Sequence, residues 1–260
     1  MPGALALLRA GFARNLQYRL AHMFNNFGSA VFGFIYMALW QAASRGRALG
    51  PYAAHALITY IAVNQCLLWV TTFTTRGLGI GTWVRTGQIA LEMHRPLPFF
   101  SRVMAEEAGH IAYNFCYRSL PLALLFAWLG DLSVQSLSIH GGIEFAAAVL
   151  IAAYTGLCLN YLVGLSAFWL TEIRFAHTLM LAVSTVASGT MVPLALMPGL
   201  AARIAAQLPF ASLSNVPDNI FLGVATPDIW LFPCVWVVVL TAAAIAMTAV
   251  ARRKLEIQGG

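Results

Sequence analysis

The chain has 260 residues, of which 60% are apolar and only 9% are charged, and its mean hydropathy is +0.76. An average soluble domain is about 45–50% apolar and about 25% charged, so a water-soluble globule is excluded. High apolar content also excludes intrinsic disorder. Apolar residues come in runs of about 20 and do not alternate as in a membrane barrel, so we predict an all-α, polytopic membrane protein.

Residues 1–20 carry three arginines at intervals of five residues among apolar side chains, at Arg9, Arg14 and Arg19. A cleaved signal peptide would place its charge before an uninterrupted apolar run. The spread of the arginines instead predicts an amphipathic helix lying along the membrane surface.

Six apolar runs are long enough to cross a hydrocarbon layer about 30 Å thick, which takes about 20 helical residues. We therefore predict one membrane domain over residues 1–260. Its spans are 21–43, 52–75, 103–129, 143–170, 175–197 and 229–251. Four prolines cut residues 198–227 into pieces too short to cross, which predicts a pair of short re-entrant helices.

Cations fall mostly on one side of this arrangement. Eleven of the 15 Lys and Arg residues lie at the two ends of the chain, in the 76–102 loop or at Arg174, whereas three lie on the opposite side. The positive-inside rule places both termini and the 76–102 loop in the cytoplasm. The excess positive charge thus marks a membrane face, and we predict no nucleic-acid partner.

The 76–102 loop mixes apolar anchors such as Trp83, Ile89 and Leu91 with the charged residues Arg85 and Glu92. Such a segment is typical of a short helix offered to a partner protein. A helix lying on the membrane surface with its apolar side in lipid has the same composition, so both interpretations stay open at this point.

Polar residues inside the predicted spans mark candidate functional sites, because an ionisable group in a membrane is costly. We expect Arg118, in the third span, either to pair with Glu144 at the outer start of the fourth or to contribute to substrate passage. In the fifth span, small and hydroxyl-bearing residues either pack helices closely or line a path. They are Ser184, Thr185, Ser188, Gly189 and Thr190.

Glu107 and His110 have the Glu-x-x-His spacing that places both side chains on one helix face, next to Glu106. Di-iron bundles need this motif on two helices, and the sequence has no second copy. We therefore predict no metal site and expect Glu106 and Glu107 to pair with Arg102 or a neighbouring loop arginine.

Two separated motifs resemble the permease subunits of type-2 ATP-binding-cassette exporters. The first is RTGQI at Arg85–Ile89 followed by RPLP at Arg95–Pro98, and the second runs from VPL at Val192–Leu194 to IFLG at Ile220–Gly223. The segment order is similar to that of a six-span branch usually encoded with an ATPase and a second permease.

This resemblance implies that the chain is the permease subunit of an ATP-driven exporter in the bacterial plasma membrane. It implies a path for a hydrophobic or amphipathic substrate between two permease copies, identical or homologous, and coupling by the N-terminal helix and the 76–102 loop. The implied coupling residues are Arg85, Thr86, Gly87, Gln88, Ile89, Leu91, Glu92, Arg95, Pro96 and Leu97. From the polar residues inside the spans we predict Arg118, Ser184, Thr185, Ser188 and Thr190 as path residues, and the resemblance favours this role for those of the fifth span.

ATP and Mg²⁺ would be bound by separate nucleotide-binding subunits, because the chain has no Gly-x-x-x-x-Gly-Lys-Ser/Thr phosphate loop and a single lysine, Lys254. No cofactor is expected on the chain itself. Two alternatives remain at the level of sequence: an intramembrane lipid-modifying enzyme using Glu106, Glu107 and His110, and a membrane scaffold without transport.

Overall fold

A computed structural model describes residues 2–129 and 138–259, and all regular structure in these two ranges is helical. The all-α prediction is therefore confirmed. In chain order the first six helices are α1 (Pro2–Asn15), α2 (Arg19–Ser44), α3 (Ala54–Thr71), α4 (Ile80–Arg85), α5 (Ile89–Met93) and α6 (Phe99–Asn114). The remaining six are α7 (Leu120–Trp128), α8 (Ile139–Leu165), α9 (Arg174–Ala187), α10 (Gly199–Gln207), α11 (Asn215–Phe221) and α12 (Leu231–Gly259).

Four helical segments of the described chain are long and apolar enough to cross a membrane, so the protein is a multi-pass membrane protein. They are His22–Ser44, Ala54–Arg85, Ile139–Phe168 and Pro227–Leu255. They coincide with the predicted first, second, fourth and sixth spans. The third and fifth predicted spans are helical but do not meet this criterion.

The third predicted span is an irregular helix. A π-helical turn, Phe115–Ser119, joins α6 to α7. Pro121 follows closely, and because proline has no N–H it leaves the carbonyl four residues earlier, at Tyr117, without its helical donor. The Asn26 side chain on α2 donates to that oxygen at 2.7 Å. The irregularity is thus stabilised by a neighbouring helix.

The fifth predicted span ends early. α9 stops at Ala187 after 14 residues, which is about 21 Å of helix and short of a hydrocarbon layer. Gly189 follows with a φ of +84°, a conformation that glycine adopts without strain. The break is held by Tyr60, whose hydroxyl donates to the Gly189 carbonyl at 3.2 Å, and by Tyr36, which donates to the Met191 carbonyl.

Residues 198–227 form short helical pieces, as the prolines predict. They are α10, a 3-10 turn at Pro209–Leu213 and α11. α11 is mostly buried and packs on α3 and α8.

Three long helices run in the same direction through the molecule. Two glycines of α8 touch the backbone of α3 and of the turn after it. A Cβ at Gly156 would lie 2.1 Å from the Thr71 carbonyl oxygen, and a Cβ at Gly164 would lie 2.2 Å from the Gly77 carbonyl oxygen. Because residue numbers rise together along both segments, α3 and its continuation run parallel to α8. Tyr154 and Tyr161 of α8 bond the hydroxyls of Thr241 and Thr248 of α12 at 2.6 and 2.7 Å, so these two helices are also parallel.

The N-terminal helix α1 packs tightly across α6. A Cβ at Gly109 would lie 2.0 Å from the Leu8 carbonyl oxygen, and one at Gly11 would lie 2.1 Å from that of Glu106. Arg14 pairs with Glu106 at 2.7 Å beside the crossing. The predicted helix therefore exists and is attached to α6, while its position along the membrane surface stays a prediction.

Candidate functional site

The loop after α3 is folded back onto the helices by a turn rich in glycine. Gly77, Leu78 and Gly79 have φ values of +53°, +48° and +74°. Glycine is needed at Gly77 because the backbone there touches Gly164 of α8, with no space for a Cβ on either residue. Leu78 tolerates its unusual conformation with its side chain buried in the core. This turn fixes where α4 begins.

α4 and α5 follow as two short helices joined through Gly87, which has a φ of +74°. The side chains of Ile89 and Met93 are buried in the core formed with α6, α8 and α12, whereas Leu91 of the same helix is 74% exposed. α5 is therefore anchored on one face and leaves a large apolar side chain unpaired on the other.

Glu92 fastens α5 to α6. Its carboxylate lies 2.5 Å from the guanidinium of Arg102 and 2.9 Å from the guanidinium of Arg95. The Arg102 side chain is only 4% exposed. Arg102 also donates to the Glu92 carbonyl at 3.2 Å and lies over the rings of Trp83 and Phe99. The carboxylate and the two rings compensate the cost of burying the guanidinium.

The ten predicted coupling residues thus divide into two groups. Ile89 and Glu92 point into the protein and anchor the loop. The other eight are exposed and form what we call the coupling surface: Arg85, Thr86, Gly87, Gln88, Leu91, Arg95, Pro96 and Leu97. At its edge Arg85 lies 3.8 Å from Glu172 in the turn between α8 and α9.

Arg118 does not pair with Glu144, so that prediction is wrong. Glu144 lies 3.3 Å from His140 on its own helix. The Arg118 guanidinium lies over the Trp69 ring, 3.9 Å from its centre, and 2.5 Å from Nδ1 of His22. An aromatic face and an imidazole take the place of a carboxylate, because the π-helical turn directs Arg118 toward α2 and α3.

The predicted path residues do not form one cluster among the described contacts. Ser184 and Ser188 are buried. The hydroxyls of Ser188 and Thr190 bond each other at 2.7 Å in the break after α9, and Thr185 donates to the Leu181 carbonyl at 2.8 Å. Arg118 lies apart from this stretch, on the α6–α7 side of the bundle.

Glu106, Glu107 and His110 line a cavity of about 460 Å³ together with Arg14 and Thr75. Glu106 pairs with Arg14, and Glu107 accepts from the Thr75 hydroxyl at 3.1 Å. The expected pairing of these carboxylates with Arg102 or another loop arginine is therefore wrong. Within the described ranges no three His, Cys, Asp or Glu residues are grouped to hold a metal ion.

The sequence interpretation overlooked Asp218, whose side chain is completely buried in α11. Its carboxylate accepts hydrogen bonds from Ser214 at 2.9 Å and from Asn64 of α3 at 3.1 Å. Burial raises the pKa of Asp218 to about 8. The available signal was that this is the single acidic residue of the apolar 198–227 segment.

Comparison with known proteins identifies the family. The model of the ABC-2 family transporter protein family matches residues 30–259, nearly the whole chain. The match includes the coupling surface, the π-helical turn and the short helices before α12. No curated protein and no solved structure matches the chain. The extent of the family match shows that this chain belongs to the ABC-2 transporter family.

Proposed function

We propose that the chain is the membrane-spanning subunit of an ATP-driven exporter that moves a hydrophobic or amphipathic molecule across the bacterial plasma membrane. The observation that carries the proposal is the coupling surface. It exposes Leu91 and Arg85 on a loop whose other face is bound to α6 and α8. Exposed aliphatic and Arg side chains on a rigid base suit a protein partner.

We also propose six crossings with both termini in the cytoplasm. The parallel course of α3, α8 and α12 supports this, because a chain must return across the membrane between two helices that run in the same direction. The only described segments available for those returns are α6–α7 and the stretch from α9 to α11. The short pieces before α12 then act as re-entrant helices, with their backbone covered by α3 and α8.

The partners in this proposal are nucleotide-binding ATPase subunits and a second permease, identical or homologous. The sequence has no phosphate loop, so ATP and Mg²⁺ belong on the ATPase. Large apolar side chains are exposed along α2 and α9, among them Phe24, Phe27, Phe175 and Leu179, which leaves apolar surface for lipid or for the second permease.

Mechanistically, closure of the ATPases on ATP would move the coupling surface. Three connections transmit that movement: Glu92–Arg102 to α6, Gly77–Gly164 to α8, and Arg85–Glu172 to the start of α9. Nucleotide shifts the protein between inward-open and outward-open states only if it binds them with different affinity. We place the substrate path beside α9 and its break, where Ser184, Thr185, Ser188 and Thr190 lie, with Arg118 as a further path residue.

The docking part of the proposal is tested with a matched pair of variants. Leu91 on the coupling surface and Leu200 on α10 are equally exposed, at 74%. In membranes containing the co-expressed ATPase, Leu91→Ser and Arg85→Ala are expected to reduce co-purification of the ATPase at least several-fold, and Leu200→Ser is expected to leave it unchanged. Wild-type co-purification and ATPase activity in the Leu91 and Arg85 variants would refute the docking assignment.

A further inference from the structure

A cleft of about 650 Å³ lies between the loop after α5 and the cytoplasmic half of α12. Its volume is in the range of small-molecule sites, about 300–1,000 Å³. Its lining includes the guanidinium groups of Arg95 and Arg252, which we call the cationic rim, together with His94. It also includes the apolar side chains of Leu97, Ile245 and Ala249, which we call the apolar wall. The cleft therefore combines a cationic rim with an apolar wall.

The cationic rim has free capacity to bind an anion. Arg252 donates one hydrogen bond to the Met93 carbonyl at 3.2 Å, and Arg95 donates to Glu92 at 2.9 Å. A guanidinium has five N–H donors, so these bonds leave several on each. No acidic side chain lines the cleft among the described residues. Glu92, the nearest carboxylate in sequence, is already shared with the buried Arg102.

The apolar wall belongs to a membrane helix. Ile245 is 56% exposed and Ala249 is also exposed, on the helical segment Pro227–Leu255 that is long and apolar enough to cross a bilayer. The apolar run of this segment ends at the three cations from Arg252 to Lys254. The cleft therefore lies where hydrocarbon gives way to headgroups on the cation-rich face.

We propose that this cleft binds an anionic phospholipid of the cytoplasmic leaflet, with its phosphate on Arg95 and Arg252 and an acyl chain along Ile245 and Ala249. A soluble phosphate would bind the two arginines of the rim but would gain no binding free energy from the apolar wall. A zwitterionic lipid would gain less binding free energy from the two arginines than an anionic lipid. The bound lipid bridges the loop that carries the coupling surface and the last helix. This role does not depend on which substrate the protein moves.

The test uses the full chain purified in a neutral detergent, with phosphatidylglycerol as the probe and native mass spectrometry as the readout. Phosphatidylglycerol is expected to bind at least tenfold more tightly than phosphatidylcholine. The double variant Arg95→Gln/Arg252→Gln is expected to lose this preference. Arg253→Gln is the matched control, because Arg253 is exposed beside Arg252 but does not line the cleft.

A second pair of variants keeps every charge and tests the wall. Ala249→Trp places a bulky ring on the apolar wall of the cleft and is expected to weaken phosphatidylglycerol binding at least tenfold. Ala246→Trp, on the exposed surface of the same helix and outside the cleft, is expected to change it less than twofold. Three results would each overturn the proposal: equal loss in the cleft and control variants, equal binding of the two lipids, or displacement of the lipid by millimolar inorganic phosphate.

Discussion

Glu92 accepts from two arginines of very different exposure, and that difference decides what each contributes. Arg102 is 4% exposed and has two aromatic rings beside it, whereas Arg95 is 54% exposed. Removing one partner of a buried pair leaves an uncompensated charge in a medium of low dielectric constant. An exposed pair is screened by water and contributes little.

We therefore expect Glu92→Ala to lower the free energy of unfolding by about 3–5 kcal/mol, and Arg95→Ala by about 0–1 kcal/mol. Denaturant titration of the detergent-solubilised protein, followed by tryptophan fluorescence, measures both. Similar losses in the two variants would show that Arg102 is not the partner that makes Glu92 structurally important.

The buried carboxyl of Asp218 is expected to make the free energy of unfolding of the protein depend on pH. Its folded-state pKa of about 8 lies above the ordinary aspartate value of about 3.9. Between about pH 4 and pH 8 the folded protein holds a proton that the unfolded chain releases, so raising the pH through this window lowers the free energy of unfolding. Asp218→Asn is expected to remove that part of the pH dependence of Tm.

The control for this prediction is Asp228→Asn, which removes an exposed carboxyl outside the Asn64–Ser214 network. Thermal unfolding at pH 5, 6, 7 and 8 compares the three proteins. If the Asp218→Asn protein keeps the same slope of Tm against pH as wild type, the buried carboxyl does not hold a proton in the folded state.

At the residue scale the sequence predicts that polar side chains within apolar runs have a structural or functional role, but it does not predict which residues they contact. The pairing of Arg118 with Glu144 assumed two straight helices at matching depth. The π-helical turn changes the direction of Arg118, and its contacts are Trp69 and His22. Such contacts depend on three-dimensional packing, which hydropathy does not encode.

Elements of the fold depend on a few close contacts between backbones, and the crossing of α1 over α6 is the clearest case. Gly109→Ala would place a Cβ 2.0 Å from the Leu8 carbonyl oxygen. We expect a loss of about 1–3 kcal/mol and faster proteolysis of α1. Gly28→Ala is the control, since its Cβ meets no atom within 4 Å and alanine favours helix. Equal stability of both variants would contradict tight packing at Gly109.

The irregular helix formed by α6, the π-helical turn and α7 is tested by a double-mutant cycle between Asn26 and Pro121. Asn26→Ala leaves the Tyr117 carbonyl without its donor and is expected to cost about 1 kcal/mol. In a Pro121→Ala background the new N–H can bond the same carbonyl, so the cost of Asn26→Ala is expected to shrink toward zero. The free energies of unfolding of the four proteins give the coupling, and strictly additive losses would refute the compensation.

The ends of helices can be predicted from the sequence where composition determines them. They cannot be predicted where contacts with distant residues determine them. The apolar runs predicted α2, α3, α8 and α12, and the four prolines predicted the short pieces from α10 to α11. The end of α9 at Ala187 was missed, because the break at Gly189 is held by hydroxyls of Tyr36 and Tyr60 from distant parts of the chain.

For the whole molecule, helix direction constrains topology more than hydropathy does. Within residues 2–129 and 138–259, hydropathy and length select four spans, and α9, with 14 residues, is too short to be one of them. Yet α8 and α12 run parallel, with bonds between Tyr154 and Thr241 and between Tyr161 and Thr248. If both helices cross the membrane, the chain between them has to return, as the six crossings that we propose require. This favours a crossing of the membrane by α9 together with the residues that follow its break at Gly189.

Site-directed labelling in intact cells tests that crossing. In a background with the exposed cysteines Cys116 and Cys234 replaced by serine, Arg203→Cys is expected to react with a membrane-impermeant maleimide from outside, because it lies on α10 after the return. Thr171→Cys, in the turn before α9, is expected to react only after permeabilisation. If Arg203→Cys also requires permeabilisation, α9 does not cross, and the parallel course of α8 and α12 would need a different return path.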